Sequence, residues 1–80
     1  MSEYKVLNKV ATGKNIKRLI RRANLTTLDV QVALNMTSPS TLYLWMRGDY
    51  MPNAENLVIL SQILGCRIDE ILVLEGENDE

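Results

Sequence analysis

The sequence predicts an all-α fold, a compact bundle of about five short helices. Two observations lead there. Apolar residues recur at helical rather than alternating spacing, and caps and stops punctuate the chain at short intervals. A third bounds the size: 80 residues, 46% of them apolar, supply one core and no more. With no Phe, that core must be built from Leu, Ile, Val and Met around the one tryptophan, Trp45. No heptad persists, so crossed helices are expected rather than a coiled coil.

Residues 1–11 lack helical periodicity and read as an N-terminal arm, in which Tyr4, Val6 and the Val10-Ala11 pair form a short extended segment. The folded domain spans 12–74. Thr12 is the expected N-cap of a first helix over 13–23, whose apolar stripe is Ile16, Leu19, Ile20 and Ala23. Asn24 stands where a left-handed stop belongs. Thr26-Thr27-Leu28-Asp29 fits a capping box opening a second helix, with Val30, Ala33 and Leu34 on its inner face and Asn35 ending it. Ser38-Pro39 is a serine cap with proline at the first helical position, where the missing amide hydrogen costs nothing. This third helix runs to Arg47 and stops at Gly48. Leu42, Trp45 and Met46 point to one side, while Ser40, Tyr43, Leu44 and Arg47 point to another. Pro52-Asn53 opens a fourth helix over about 54–64, apolar on most sides and therefore expected to be central, which Gly65 ends. Ile68, Ile71 and Leu72 mark a short fifth helix, and residues 75–80 read as an acidic, disordered tail.

Composition narrows function. The chain has no histidine and a single cysteine, Cys66, expected to be a partly buried small apolar residue. An internal disulfide and imidazole catalysis are excluded, and no spacing suggests a metal site or a cofactor. An enzyme is not expected. Nothing resembles a signal peptide or a membrane span, so a cytoplasmic protein is the expectation. The net charge of −1 conceals an asymmetry. Residues 1–50 carry eight basic residues against three acidic, a balance of +5, whereas 51–80 carry Arg67 against seven acids, a balance of −6. One face can therefore attract phosphate while another repels it, although charges that merely solvate the surface would give the same totals.

The order of these signals resembles the Cro/lambda-repressor-like (XRE) helix-turn-helix family over about residues 12–72. The resemblance rests on Leu25-Thr26, Thr41 to Gly48, Pro52, Asn56-Leu57, Leu60, Leu64-Gly65 and Ile68-Asp69-Glu70-Ile71-Leu72. A branch of that family is more similar still. It opens its first helix Thr-Gly-x-Asn-Ile, here Thr12-Gly13-Lys14-Asn15-Ile16, and its third Ser-Pro with a following Tyr-x-Trp, here Ser38-Pro39 and Tyr43-Leu44-Trp45.

The resemblance implies a lambda-repressor-like fold and sequence-specific binding of double-stranded DNA, with the third helix (about 39–47) in the major groove. The positions that would meet DNA are then Ser38, Ser40, Tyr43 and Leu44 toward the bases, with Thr41 on the same helix, Thr27 toward a phosphate at the start of the second helix, and Arg47 and Tyr50 bracketing the backbone. It further implies a small repressor-like transcriptional regulator acting as a homodimer. The apolar residues of 68–74, with the arm at 4–10, are the candidate interface.

Three departures from the family pattern stand out. Asp49 occupies a place that is usually basic, the turn between the second and third helices is one residue longer, and Ile20 and Met46 stand where many relatives pair Arg with Glu. Those two side chains are expected to touch in the core. Trp45 is expected to be core, because it shares a face with Leu42. Tyr43 and Leu44 could serve a protein interface instead of DNA, and Lys14, Lys17, Arg18, Arg21 and Arg22 suit solvent as well as phosphate. Two alternatives to the plain regulator therefore remain: an antitoxin-like regulator that binds a partner protein as well as DNA, and an interaction module that has lost DNA binding.

Overall fold

The computed structural model describes residues 4–76 and contains five helices: α1 (Lys9–Arg22), α2 (Thr27–Ala33), α3 (Ser40–Arg47), α4 (Ala54–Leu64) and α5 (Ile68–Ile71). The ends of the expected tail and arm, 77–80 and 1–3, lie outside the described residues.

Four helices end as their stop residues demand. Asn24, Asn35, Gly48 and Gly65 all adopt positive φ, between 59° and 82°. After α1, α2 and α3 the chain closes a Schellman motif: Asn24, Asn35 and Gly48 donate to Arg21, Val32 and Trp45, while Leu25, Met36 and Asp49 donate to Ile20, Gln31 and Leu44. The starts are equally local. The Thr26 hydroxyl accepts from the Asp29 amide at 3.1 Å, and the Asp29 carboxylate accepts from the Thr26 amide at 2.8 Å, the reciprocal pair expected at α2. Asn53 caps α4 by accepting from the Asn56 amide at 2.8 Å. At α3 the helix begins one residue beyond the expected proline. Pro39 occupies the cap position, and the Ser38 hydroxyl reaches the Ser40 amide only at 3.4 Å.

The start of α1 is a correction. Asn8, not Thr12, is its N-cap, accepting from the Ala11 amide at 3.0 Å, so residues 9–11 are helical and the extended arm ends before them. Thr12 is wholly buried one turn inside. Its hydroxyl donates to the Val73 carbonyl at 3.3 Å and accepts from the Val73 amide at 2.8 Å. The reason is non-local. Leu7 and Leu74 form an antiparallel bridge, flanked by bonds from Asn8 to Val73 and from Glu75 to Val6, both 2.8 Å. This small clasp joins the two ends of the described chain and carries α1 further toward its N-terminus than the sequence alone suggests.

α1 is the central element. It contributes Ile16, Leu19 and Ile20 to a core completed by Val30, Leu34, Leu42, Trp45, Leu60, Leu64 and Ile71. The sequence suggests α4 for that place. α4, however, buries fully only Leu60 and Leu64 and leaves Val58 exposed. Ala33, expected inside, is also exposed, because α2 turns Val30 and Leu34 inward instead.

α1 and α3 meet backbone to backbone. A Cβ on Gly13 would overlap the Trp45 carbonyl oxygen and lie 2.6 Å from that of Met46; one on Gly48 would lie 2.8 Å from the Val10 Cα. Two glycines thus set the distance between these helices. Ile20 lies in the core, whereas Met46 is only partly buried and packs against that core, and both border one cleft. Of the suggested dimer interface, Ile71 and Val73 belong to the protein's own interior. Tyr4, Val6 and Val10 remain exposed.

Candidate nucleic-acid interface

The outer face of α3 follows from the burial of its inner one. Leu42 and Trp45, at 1% and 2% exposure, anchor the helix to the core. A helix fixed on that side must present positions 40, 43, 44 and 47 on another, since they recur at i, i+3, i+4 and i+7. Ser40 and Thr41 are exposed, Tyr43 is half exposed, Leu44 is half-buried and the Arg47 side chain is 66% exposed. Ser38 is exposed just before the helix, its hydroxyl donating to that of Ser40 at 3.2 Å. Tyr50 is exposed just after it.

A cleft of about 640 Å³ runs between this face and the start of α2, lined by Lys17, Ile20, Arg21, Leu25, Thr26, Thr27, Tyr43, Met46 and Arg47. It gathers three of the sequence-predicted residues, Thr27, Tyr43 and Arg47. Ser38, Ser40, Thr41, Leu44 and Tyr50 lie outside it, along α3 and its ends. The cleft also brings in two cations that sequence reasoning left undecided, Lys17 and Arg21. They stand one turn apart on α1, immediately before the Asn24 turn that leads to Thr27, and that proximity was the available signal.

Two other α1 cations have a different place. Lys14 and Arg18 border a second cleft with Asn8, Val10 and Val73. Arg18 donates through Nε and Nη2 to the Asn15 side-chain oxygen at 3.1 and 2.7 Å. Asn15 in turn donates to the carbonyls of Glu70 and Ile71 at 2.8 and 2.9 Å, tying the end of α5 to α1. The motif Thr12-Gly13-x-Asn15-Ile16 is therefore structural throughout.

The electrostatics of the first cleft are one-sided. Lys17, Arg21 and Arg47 line it without an acidic residue among the lining groups. α1 itself contains no carboxylate, so five of its six cations, Lys14, Lys17, Arg18, Arg21 and Arg22, repel one another at i, i+3 and i+4 spacings, a cost of about 0.2–0.5 kcal/mol per pair that an anionic partner would relieve. Asp29 lies nearby but is committed to the α2 cap. The Thr26 amide first, and its hydroxyl second, hold that carboxyl below the ordinary aspartate range, so it is ionised at neutral pH. Asp49 meets the site at one point: its Oδ2 accepts from Arg47 Nε at 3.0 Å and Nη2 at 2.7 Å. Burial pushes the half-buried Cys66 thiol above its usual value, as suits a small apolar residue.

A family model described as helix-turn-helix matches residues 16–71, from the middle of α1 to the end of α5. The chain belongs to that helix-turn-helix family. It is of the Cro/lambda-repressor-like kind, a DNA-binding domain in which α2 and α3 form the motif itself. Its fold is shared with solved structures of regulators. The P22 c2 repressor protein, in complex with a synthetic operator, is 26% identical with a TM-score of 0.68, over 82% of this chain and 96% of that one. The restriction-modification controller protein C.AhdI from Aeromonas hydrophila is 18% identical with a TM-score of 0.68, over 78% and 92%. The clp gene regulator ClgR from C. glutamicum is 21% identical with a TM-score of 0.68, over 79% and 80%. Among curated proteins, none matches this helix-turn-helix chain in sequence. No helix among its described residues is long and apolar enough to cross a membrane.

Proposed function

We propose that this domain is a small, non-catalytic transcriptional regulator that lays α3 in the major groove of an operator. The observation that carries the reading is the pairing of two surfaces. An outward polar face on α3 adjoins a cleft lined by three cations and the first turn of α2. A groove-reading helix needs that neighbour, because phosphate contacts fix its register while base-edge contacts give preference. Ser40 and Leu44 face the bases, the leucine offering an apolar contact to a thymine methyl. Thr27, Lys17 and Arg21 face the phosphates, and Tyr43 spans the two. The face holds no Asn, Gln or free Arg for bidentate base contacts, worth about 1–3 kcal/mol each, so preference depends on DNA shape and on paired half-sites. A homodimer on a two-fold symmetric operator supplies the second half-site.

Selection from random duplexes tests this. A preferred half-site should emerge, and Ser40→Ala or Leu44→Ala should change the preference at particular base pairs. Uniform weakening across all sequences by both variants would remove α3 from the groove. Light scattering of the protein on the selected duplex should give two chains per site; one chain would discard the dimer. A protein partner of the antitoxin kind has no observation here that favours it.

A further inference from the structure

We propose that Asp49 is a positioning residue that attenuates DNA binding, by holding Arg47 in an internal ion pair and so withdrawing one cation from the phosphate-facing cleft. The inference rests on the duplex-binding reading above. Its geometry is local and enforced. Gly48, in the left-handed conformation, reverses the chain at the end of α3, and the Asp49 amide donates to the Leu44 carbonyl at 3.0 Å. That reversal returns the Asp49 side chain over the last turn of the helix, where one of its oxygens accepts both Arg47 Nε and Nη2. The two side chains stay 66% and 52% exposed, so the pair is accessible to solvent and weak enough to break. Lys17 and Arg21, which share the cleft with Arg47, have no carboxylate partner among the described residues. Arg47 alone among the three is neutralised. To reach a phosphate it must leave Asp49, and it then leaves a bare carboxylate beside the DNA. This penalty does not depend on base sequence, so Asp49 sets affinity without setting preference.

The experiment is a double-mutant cycle on the full chain, read by fluorescence anisotropy with the selected duplex and a scrambled one over a range of salt. Asp49→Asn should bind both duplexes more tightly by the same factor, roughly fivefold at about 0.1 M salt, and the slope of log affinity against log salt should steepen by about 0.9, the signature of one added phosphate contact. In an Arg47→Ala background the same change should leave the slope unaltered. Weaker binding by Asp49→Asn would mean that the carboxylate presents Arg47 rather than restrains it, and would overturn the proposal. Equal slope changes with and without Arg47, or a gain confined to one duplex, would also overturn it. Failure of wild type and every variant to bind either duplex at low salt would instead overturn the duplex reading on which the proposal stands. Thermal unfolding of each variant separates these results from loss of fold.

Discussion

The two ends of α1 do opposite things. Its N-terminal half is fastened at four residues: Thr12 to Val73, Gly13 against the α3 backbone, Asn15 to the end of α5, and Ile16 in the core. Its C-terminal half keeps Leu19 and Ile20 inside but turns Lys17 and Arg21 into the open cleft beside α2. One rigid helix thus holds the scaffold at one end and presents charge at the other. The lesson is that rigidity and binding need not compete for residues when a helix crosses its partner at a glycine. The close approach at Gly13 and Gly48 fixes the angle of α3, and that angle sets where the outward face lies relative to the cations.

The contrast can be broken first at the fastened end. Gly13→Val forces a branched side chain into the α3 carbonyls and should destabilise by about 3 kcal/mol or more, read as a lower midpoint in urea unfolding. An unchanged midpoint would mean that the helices do not meet there. At the open end the effect should fall on affinity. Lys17→Ala with Arg21→Ala should leave stability within about 0.5 kcal/mol, yet reduce duplex affinity about 30-fold at low salt and flatten the salt slope by about 1.8. Equal losses for Lys14→Ala with Arg18→Ala would erase the distinction between the two clefts. The smallest effect belongs to pH. The Asp29 carboxyl has a folded pKa below its unfolded one, so its contribution is complete above the unfolded value and is lost as pH falls through the folded value. Wild type should therefore lose slightly more stability on acidification than Asp29→Asn, and parallel acid profiles would show that the capping carboxylate contributes nothing.

What could be read beforehand was the chemistry that acts within four residues. Asn24, Asn35, Gly48 and Gly65 each adopted the left-handed conformation that their composition favours, and the Thr26–Asp29 box closed as written. The outward set on α3 was equally legible, because Trp45 and Leu42 leave it one direction to face. What could not be read depends on residues far apart in the chain. Thr12 has the chemistry of a cap and serves as a buried clamp, because residue 73 returns to meet it. The exposure of Ala33 and the central place of α1 rather than α4 depend on how helices dock, which apolar content does not encode. Among six cations on one helix, only the docking of α2 decides that Lys17 and Arg21 share a cleft while Lys14 and Arg18 face elsewhere.

The location of the interface can be measured directly by following backbone amide resonances as the selected duplex is added. The amides of Thr27, of Ser40 to Leu44 and of Lys17 and Arg21 should shift together, while those of Thr12 to Asn15 and of α4 stay in place. Shifts concentrated on α4 and α5, with α3 silent, would contradict the assignment of the reading face.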